Sequence, residues 1–297
     1  MTAVASPGDI EPTTEGRPVA IEPPTAGQIV GRVVVRFLRT MLSATIAIVV
    51  ALTAWQLLIK ALDFSPFISR GPGDVWKYMF TAPEAQENRQ VLFEAAKQTF
   101  FDATLGLIAG TAAAVIVSMV FVLRRGVEAT FMPVAMALRS VPLVAMTPLI
   151  ALIFGRGVVA VTVIAGIVTF FPTLVNVTQA LKSVPTHTID LVTAYGGSRR
   201  VALRKVQFPA SLPALFASAR IAAPLALIGA LLAEWLATGK GLGYLMLQSI
   251  SMFEIDRLWA SVAIITIASV VLYGIISSIE NVVLARYAPG RGTGSPV

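Results

Sequence analysis

Long apolar runs dominate the chain, and polar residues are concentrated in the stretches between them. A bilayer core about 30 Å thick needs roughly 20 apolar residues in a helix to cross it. Six segments meet this requirement, and we predict that each is a transmembrane helix. The approximate bounds of the six predicted spans are 41–62, 101–123, 129–154, 158–181, 215–236 and 258–284. The pattern therefore predicts an all-α fold, a polytopic membrane helical bundle.

Positive charges between the spans indicate how the chain is threaded through the membrane. Cytoplasmic loops of membrane proteins carry an excess of Lys and Arg. With six spans, every large positive cluster falls on one side, whereas residues 63–97 on the other side mix both signs. The clusters are Arg32, Arg36 and Arg39; Arg124 and Arg125; Lys182, Arg199, Arg200, Arg204 and Lys205; Arg286 and Arg291. Both termini of this multi-pass protein are therefore predicted to be cytoplasmic.

The two ends of the chain differ in composition from its apolar middle. Residues 1–30 are rich in Pro, Thr, Glu and Gly and lack the apolar core of a signal peptide. We expect these residues to form a disordered cytoplasmic tail and residues 289–297 to form a flexible C-terminal tail. The predicted transmembrane domain occupies residues 31–288.

Composition excludes several classes of function. Hydrophobic residues make up 56% of the chain and charged residues only 13%, compared with roughly 25% charged residues in a soluble domain. The chain has no cysteine, and His187 is its one histidine, so thiolate chemistry, metal clusters and a Ser-His-Asp triad are not expected. The pI of about 10.0 is explained by cytoplasmic Lys and Arg, and no nucleic-acid partner is expected.

Small residues and prolines are concentrated in the predicted spans. Glycine and alanine in the second and fifth spans allow close helix packing in lipid. Each proline bends its helix by removing a backbone hydrogen bond. The bends either serve packing or line a translocation path, because a broken helix survives in lipid only where protein or a water-filled cavity satisfies its carbonyl groups. The prolines are Pro133, Pro142, Pro148, Pro172 and Pro224.

The longest predicted cytoplasmic loop, about 182–213, has the features of a helical hairpin. Pro185 suits the start of a short helix, and Asp190 complements the dipole of that helix. Gly196 and Gly197 supply a turn. The loop is therefore expected to hold a fixed shape below the membrane instead of acting as a flexible linker.

A second, basic helix is expected after the turn. Ser198 can cap its N-terminus, and the helix would run to about Phe208 and end at Pro209. The positive charges in this stretch agree with a cytoplasmic position.

The loop resembles the EAA loop of binding-protein-dependent ABC importer permeases. The family pattern is an acidic residue, two alanines, three free positions, Gly, nine free positions, then Ile, a free position, Leu and Pro. Asp190 stands at the acidic position and Gly196 follows at the required spacing. Val206, Phe208 and Pro209 stand at the final three positions. Leu191 and Val192 replace the two alanines, which leaves the detail of the docking surface open.

Stretches on both sides of the loop extend this resemblance to the sulfonate, taurine and nitrate branch of the same permeases. They include MALRSVPLVAMTPLIALIFGRG and LLAEWLATGKGLGYLM, and the resemblance covers roughly residues 70–287. It implies the type I importer permease fold, with six transmembrane helices, in the bacterial inner membrane.

In that family the first helix of the loop sits in a groove of a separate ATPase. Leu191, Val192 and Tyr195 would face water unless a partner covered them, and a helix-in-groove contact would cover them. The alternative is an amphipathic helix that rests on lipid headgroups.

The resemblance also implies the partners of the chain. They are two ATPase subunits, a second permease, expected to be another copy of this chain, and an extracytoplasmic binding protein that delivers a small organic anion. The chain has no Gly-x-x-x-x-Gly-Lys-Ser/Thr motif. It is therefore expected to bind no cofactor and to carry out no catalysis, with ATP and Mg bound by the ATPase subunits.

Three charged residues lie in or near apolar runs, where charge is costly unless it faces protein or water. Arg139 or Arg220 could attract an anionic substrate. Alternatively, these arginines pair with Glu234 or with carbonyl groups at helix ends. An ion-coupled secondary transporter is the competing class, and Glu234 is the main candidate to carry its coupling ion.

Overall fold

The computed structural model of the chain describes residues 26–65 and 67–287. The chain divides into two compact units, residues 1–57 and 58–297. Helix α1 (Ala26–Ala61) occupies the described part of the first unit and the start of the second. It begins within the predicted 1–30 tail, while residues 1–25 and 288–297, including the predicted C-terminal tail, lie outside the described residues.

Every regular element in the described part of the second unit is helical. The first helices after α1 are α2 (Pro72–Trp76), which continues as a π-helical turn at Lys77–Thr81, and the long α3 (Ala85–Leu123). The remaining helices are α4 (Arg125–Arg139), α5 (Leu143–Phe154), α6 (Val158–Lys182), α7 (Thr186–Ala194), α8 (Arg199–Ala202), α9 (Phe208–Ala233), α10 (Gly241–Ser251) and α11 (Ile255–Tyr287).

Four helical stretches in the described residues are long and apolar enough to cross a membrane. They are Ala85–Leu123, Val158–Lys182, Arg199–Thr238 and Ile255–Leu284, and they contain the second, fourth, fifth and sixth predicted spans. The described apolar part of α1, Thr45–Ala61, is shorter than a full span. The count of six spans therefore stays a prediction.

The third predicted span is not one continuous helix. α4 and α5 meet at a bend of 104°, and the two together would make a fifth span. Pro142 lies at the start of α5 with extended backbone (φ −60°, ψ 117°). A proline has no N–H to continue the helix and also disfavours helical backbone at the preceding residue, Val141. The prediction of a single helix over 129–154 is corrected accordingly, although the prolines did point to an interruption.

The core of the second unit is formed by α3, α6 and α9 packed through small residues. A Cβ atom at Gly110 would lie 2.3 Å from the carbonyl oxygen of Gly166, and one at Gly106 would lie 2.3 Å from Cβ of Ala165. Gly229 of α9 approaches the same part of α6. The predicted close packing of small residues is thus confirmed, and it sets the positions of the loop and the charged residues described next.

Candidate functional site

The first half of the 182–213 loop folds as the predicted helix and turn, except that Asp190 lies in the middle of α7 and not in its first turn, where it would complement the helix dipole. α7 begins directly after Pro185, whose extended backbone (φ −57°, ψ 139°) occupies the N-cap position. The turn after α7 depends on Gly196, whose φ of +78° favours glycine. The N–H of Gly197 then donates to the carbonyl oxygen of Val192 at 2.9 Å. These contacts give the hairpin a defined bend.

The second half of the loop differs from the prediction. α8 does begin after Ser198, but the helix does not end at Pro209. A π-helical turn at Leu203–Gln207 leads directly into α9, and Pro209 lies in the first turn of α9. The π-helical turn directly before Pro209 shifts the backbone hydrogen-bond register, so the helix continues past a residue that has no N–H to donate. The loop therefore passes into the fifth span as one helical stretch, Arg199–Thr238.

Two hydrogen bonds fasten the second half of the loop to the ends of neighbouring spans. The Arg199 guanidinium donates to the carbonyl oxygen of Val122 in α3 at 3.2 Å. The Gln207 amide donates to the carbonyl oxygen of Leu181 in α6 at 2.9 Å. Phe208 adds apolar contact with the cluster that contains these same helix ends. Movement of the loop would therefore be transmitted to three spans.

The residues of the EAA-like pattern divide into an exposed group and a packed group. Leu191 is 57% exposed and Tyr195 is 86% exposed, and Asp190 beside them is also exposed. The partly buried group is Val192, Val206, Phe208 and Pro209. The pattern thus combines an outward surface on α7 with an inward anchor at the start of α9.

Glu234 lies at the opposite end of α9 and is fully buried. Its Oε2 atom accepts hydrogen bonds from the Thr99 hydroxyl of α3 at 3.0 Å and from the Gly243 N–H of α10 at 2.7 Å. Thr99 also accepts a hydrogen bond from the N–H of Leu242 at 2.8 Å. The carboxyl group of Glu234 therefore joins α9, α3 and the first turn of α10. Its Oε2 atom lies at the N-terminus of α10, which is the positive end of the helix dipole.

A second buried carboxyl group, Asp102, lies one turn along α3 from Thr99. It accepts a hydrogen bond from the Gln98 amide at 3.0 Å. One oxygen of each acid, Oδ1 of Asp102 and Oε1 of Glu234, has no hydrogen-bond partner among the described residues.

Arg220 pairs with Glu280 of α11, with 3.2 Å between Nε and Oε2. Pairing of Arg220 with Glu234, one of the alternatives left open by the sequence, is therefore incorrect. The actual partner belongs to a different span, the sixth. The ion pair holds α9 against α11, and its formation neutralises the charge that Arg220 would otherwise present.

Arg139 is exposed at the end of α4, where the bend to α5 begins. It makes no salt bridge with any described residue. α5 begins four residues further on, at Leu143. An exposed guanidinium next to the positive end of a helix dipole is suited to attract an anion.

An apolar cavity of about 400 Å³ lies between α3, α4 and α6, lined by residues such as Phe121, Phe131 and Phe170. Its lining offers no polar group to an anion. The described ranges 26–65 and 67–287 also hold no cluster of three or more His, Cys, Asp or Glu residues that could bind a metal ion.

Sequence reasoning missed Thr99 and Gly243, which partner Glu234, and Glu280, which partners Arg220. Thr99 and Glu234 are 135 positions apart, so no local spacing connects them. The one available signal was that Glu234 and the glycines after it form a stretch, AEWLATGKGLG, in which an acid precedes a glycine-rich helix start.

Comparison with known proteins agrees with the fold. The family described as binding-protein-dependent transport system inner membrane component matches residues 103–288, and the chain belongs to that family. It is therefore an ABC importer permease subunit, a membrane transporter component and not an enzyme. This membership decides against the ion-coupled secondary transporter.

Individual relatives support the same assignment. The chain is 29% identical over 233 residues to a probable ABC transporter permease protein of Haemophilus influenzae, covering 78% of this chain and 93% of the relative. It is 22% identical over 193 residues to a putative aliphatic sulfonates transport permease protein of Bacillus subtilis, covering 65% and 70%. A solved structure of the MetNI methionine ABC transporter in an inward-facing conformation matches the fold with a TM-score of 0.55 and 21% identity, covering 69% of this chain and 99% of that one.

Proposed function

We propose that two copies of this permease form the translocation pathway of an importer for a small organic anion. Two cytoplasmic ATPase subunits bind ATP and Mg, and an extracytoplasmic binding protein delivers the anion. Both termini and the 182–213 loop face the cytoplasm of the bacterial cell. Sulfonates, taurine, nitrate and aromatic carboxylates are the proposed substrates.

The exposed surface of α7 supports the docking role of the loop. Leu191 and Tyr195 are large apolar or aromatic residues that stay exposed on a short helix, and a partner groove would remove them from water. The pattern from Asp190 to Pro209 keeps the family spacing at all five matched positions. This combination is the observation on which the proposed coupling depends.

The attachments of the loop suggest how ATP would drive the spans. Closure of the ATPase pair would move the docked α7, and the bonds from Arg199 and Gln207 would pass that motion to α3 and α6. Because α8 continues into α9 through a π-helical turn, the fifth span would move with the loop. ATP thereby favours one of two permease conformations, because it binds more tightly to the ATPase pair in that conformation than in the other.

The position of Arg139 at the break between α4 and α5 supports the proposal that the substrate is an anion. α4 starts directly after α3 and is 15 residues long, so it is about 22 Å in length and the break lies well away from its start. Non-helical backbone at such depth requires protein or a water-filled cavity around it. Arg139 would then offer its charge to an anion within the pathway.

Uptake into proteoliposomes tests this proposal. The permease is reconstituted with the ATPase that co-purifies with it and with the binding protein encoded beside it. Vesicles with the ATPase on the inner side should accumulate taurine or an alkyl sulfonate only when ATP is enclosed in them. An uncoupler should not reduce this accumulation. If a neutral pyrimidine competes for uptake and sulfonates do not, the proposal of an anionic substrate is rejected. If the uncoupler abolishes uptake while ATP remains intact, the proposal that ATP drives transport is rejected.

A further inference from the structure

Three aromatic residues and one arginine form a continuous exposed strip next to the start of α3. We name Trp76, Phe80, Arg89 and Phe93 the outer aromatic strip. Trp76 is 61% exposed, Phe80 is 48% exposed and Phe93 is 67% exposed. Aromatic residues and arginine in such quantity are typical of protein interfaces and of their energetic centres.

Direct contacts hold the strip together. The rings of Trp76 and Phe80 have centroids 4.3 Å apart, and the Arg89 guanidinium lies 5.8 Å from the centroid of Phe80. Phe93 follows Arg89 by four residues, so the two share one face of α3. The strip is therefore one surface and not four separate side chains.

The backbone below the strip is fixed by hydrogen bonds. Arg89 donates to the carbonyl oxygen of Met79 at 2.7 Å, and the Asn88 amide donates to that of Tyr78 at 3.1 Å. Arg70, which precedes α2, pairs with Asp256 of α11 at 2.5 Å. A surface that is already ordered loses little conformational entropy when a partner binds.

The length of α3 places the strip outside the bilayer. α3 has 39 residues, and a span needs roughly 20 of them. The apolar run starts near Phe100, and the preceding turns carry Glu87, Glu94 and Lys97. At 1.5 Å per residue, Arg89 lies about 16 Å beyond the start of that run along the helix, too far for its neighbours to be covered by acyl chains.

We infer that the outer aromatic strip is a docking surface for the extracytoplasmic binding protein. The inference rests on the proposed function, which places this end of α3 outside the cell. The family to which the chain belongs requires such a protein, and a water-exposed aromatic and arginine surface beyond the membrane fits a protein partner.

Photo-crosslinking from Phe93, with Phe101 as the matched control, tests the inference. Phe101 lies on the same face of α3, eight residues further on, and is 52% exposed, but it lies within the apolar run. A photoreactive phenylalanine at position 93 in cells of the source bacterium should capture a solute-binding protein, identified by mass spectrometry, and position 101 should not. Capture of lipid alone, of a second permease copy or of any other protein at position 93 would overturn the inference.

A functional assay separates failure of the inference from failure of the proposed function. The double variant Trp76→Ala/Phe80→Ala should raise at least tenfold the concentration of captured binding protein that half-maximally stimulates ATP hydrolysis. Basal hydrolysis by the complex should stay unchanged. Unaltered stimulation would overturn the docking surface alone, whereas absence of an associated ATPase in the parent complex would overturn the proposed function.

Discussion

The hydroxyl group of Thr99 donates a hydrogen bond to the buried carboxyl group of Glu234 at 3.0 Å, across 135 positions of sequence. Through this bond, α3 and α9 meet at the end of the bundle opposite the 182–213 loop. The first turn of α10 joins them through Leu242 and Gly243. The bundle is thus fastened at both ends, by Glu234 at one and by Arg199 and Gln207 at the other.

Substitution Thr99→Val should destabilise the permease, because it removes the donor to Glu234 and the acceptor for Leu242 while preserving shape. Buried groups left without a partner cost about 1–3 kcal/mol. The matched control is Thr104→Val, since among the described residues the Thr104 hydroxyl bonds only to the carbonyl oxygen of Phe100 on its own helix. Thermal unfolding of the purified proteins should show a lower midpoint for Thr99→Val than for Thr104→Val. Equal midpoints would show that the junction contributes nothing to stability.

Local composition was sufficient to predict most of the membrane helices. The fourth predicted span, 158–181, nearly coincides with α6 (Val158–Lys182), because a run of apolar residues with few charges has no other stable state in lipid. The break between α4 and α5 was anticipated only as a bend, because a proline indicates an interruption without giving its angle.

The partners of the charged residues within the spans could not be predicted in the same way. Arg220 and Glu280 are distant in sequence, and their pairing depends on how α9 packs against α11. The end of the loop at Pro209 was predicted wrongly because the π-helical turn before Pro209 carries the helix past a residue that has no N–H to donate. Pro185 and the Gly196–Gly197 turn predicted α7, whereas only the three-dimensional contacts revealed how α8 and α9 anchor it.

The Arg220–Glu280 pair predicts a characteristic pattern of stability. Arg220→Ala alone should leave Glu280 as an uncompensated charge between α9 and α11, which is strongly destabilising. The double variant Arg220→Ala/Glu280→Ala should recover part of the loss. The yield of monodisperse permease and its unfolding midpoint measure both effects. A double variant less stable than either single variant would contradict this pairing.

Gly196→Val should uncouple ATP hydrolysis from transport while the permease still inserts. The left-handed backbone of Gly196 costs a non-glycine residue roughly 1–2 kcal/mol, so the turn after α7 should shift. Gly155→Val is the matched control, because Gly155 has a φ of +81° and, like Gly196, has open space around its Cβ position. Substrate-stimulated ATP hydrolysis and uptake should fall for Gly196→Val but not for Gly155→Val. A milder loss is expected for Asp190→Ala.

Arg139→Gln should raise the KM for uptake of an organic anion about tenfold, the loss expected when a hydrogen bond to a charged group is removed. Arg139→Lys should retain part of the affinity because it keeps the charge. Arg156→Gln serves as the control, since Arg156 is also exposed but lies in the loop after α5. An unchanged KM in Arg139→Gln would show that Arg139 does not contact the substrate in the translocation pathway.

Photo-crosslinking from Tyr195 tests the coupling role of the loop most directly. A photoreactive residue at position 195, on the exposed end of the hairpin, should capture an ABC ATPase in intact cells, and the same residue at position 156 should not. In the naturally cysteine-free chain, Tyr195→Cys should also resist a membrane-impermeant thiol reagent added from outside. Capture of lipid alone at position 195, or labelling of that cysteine from outside, would contradict the account.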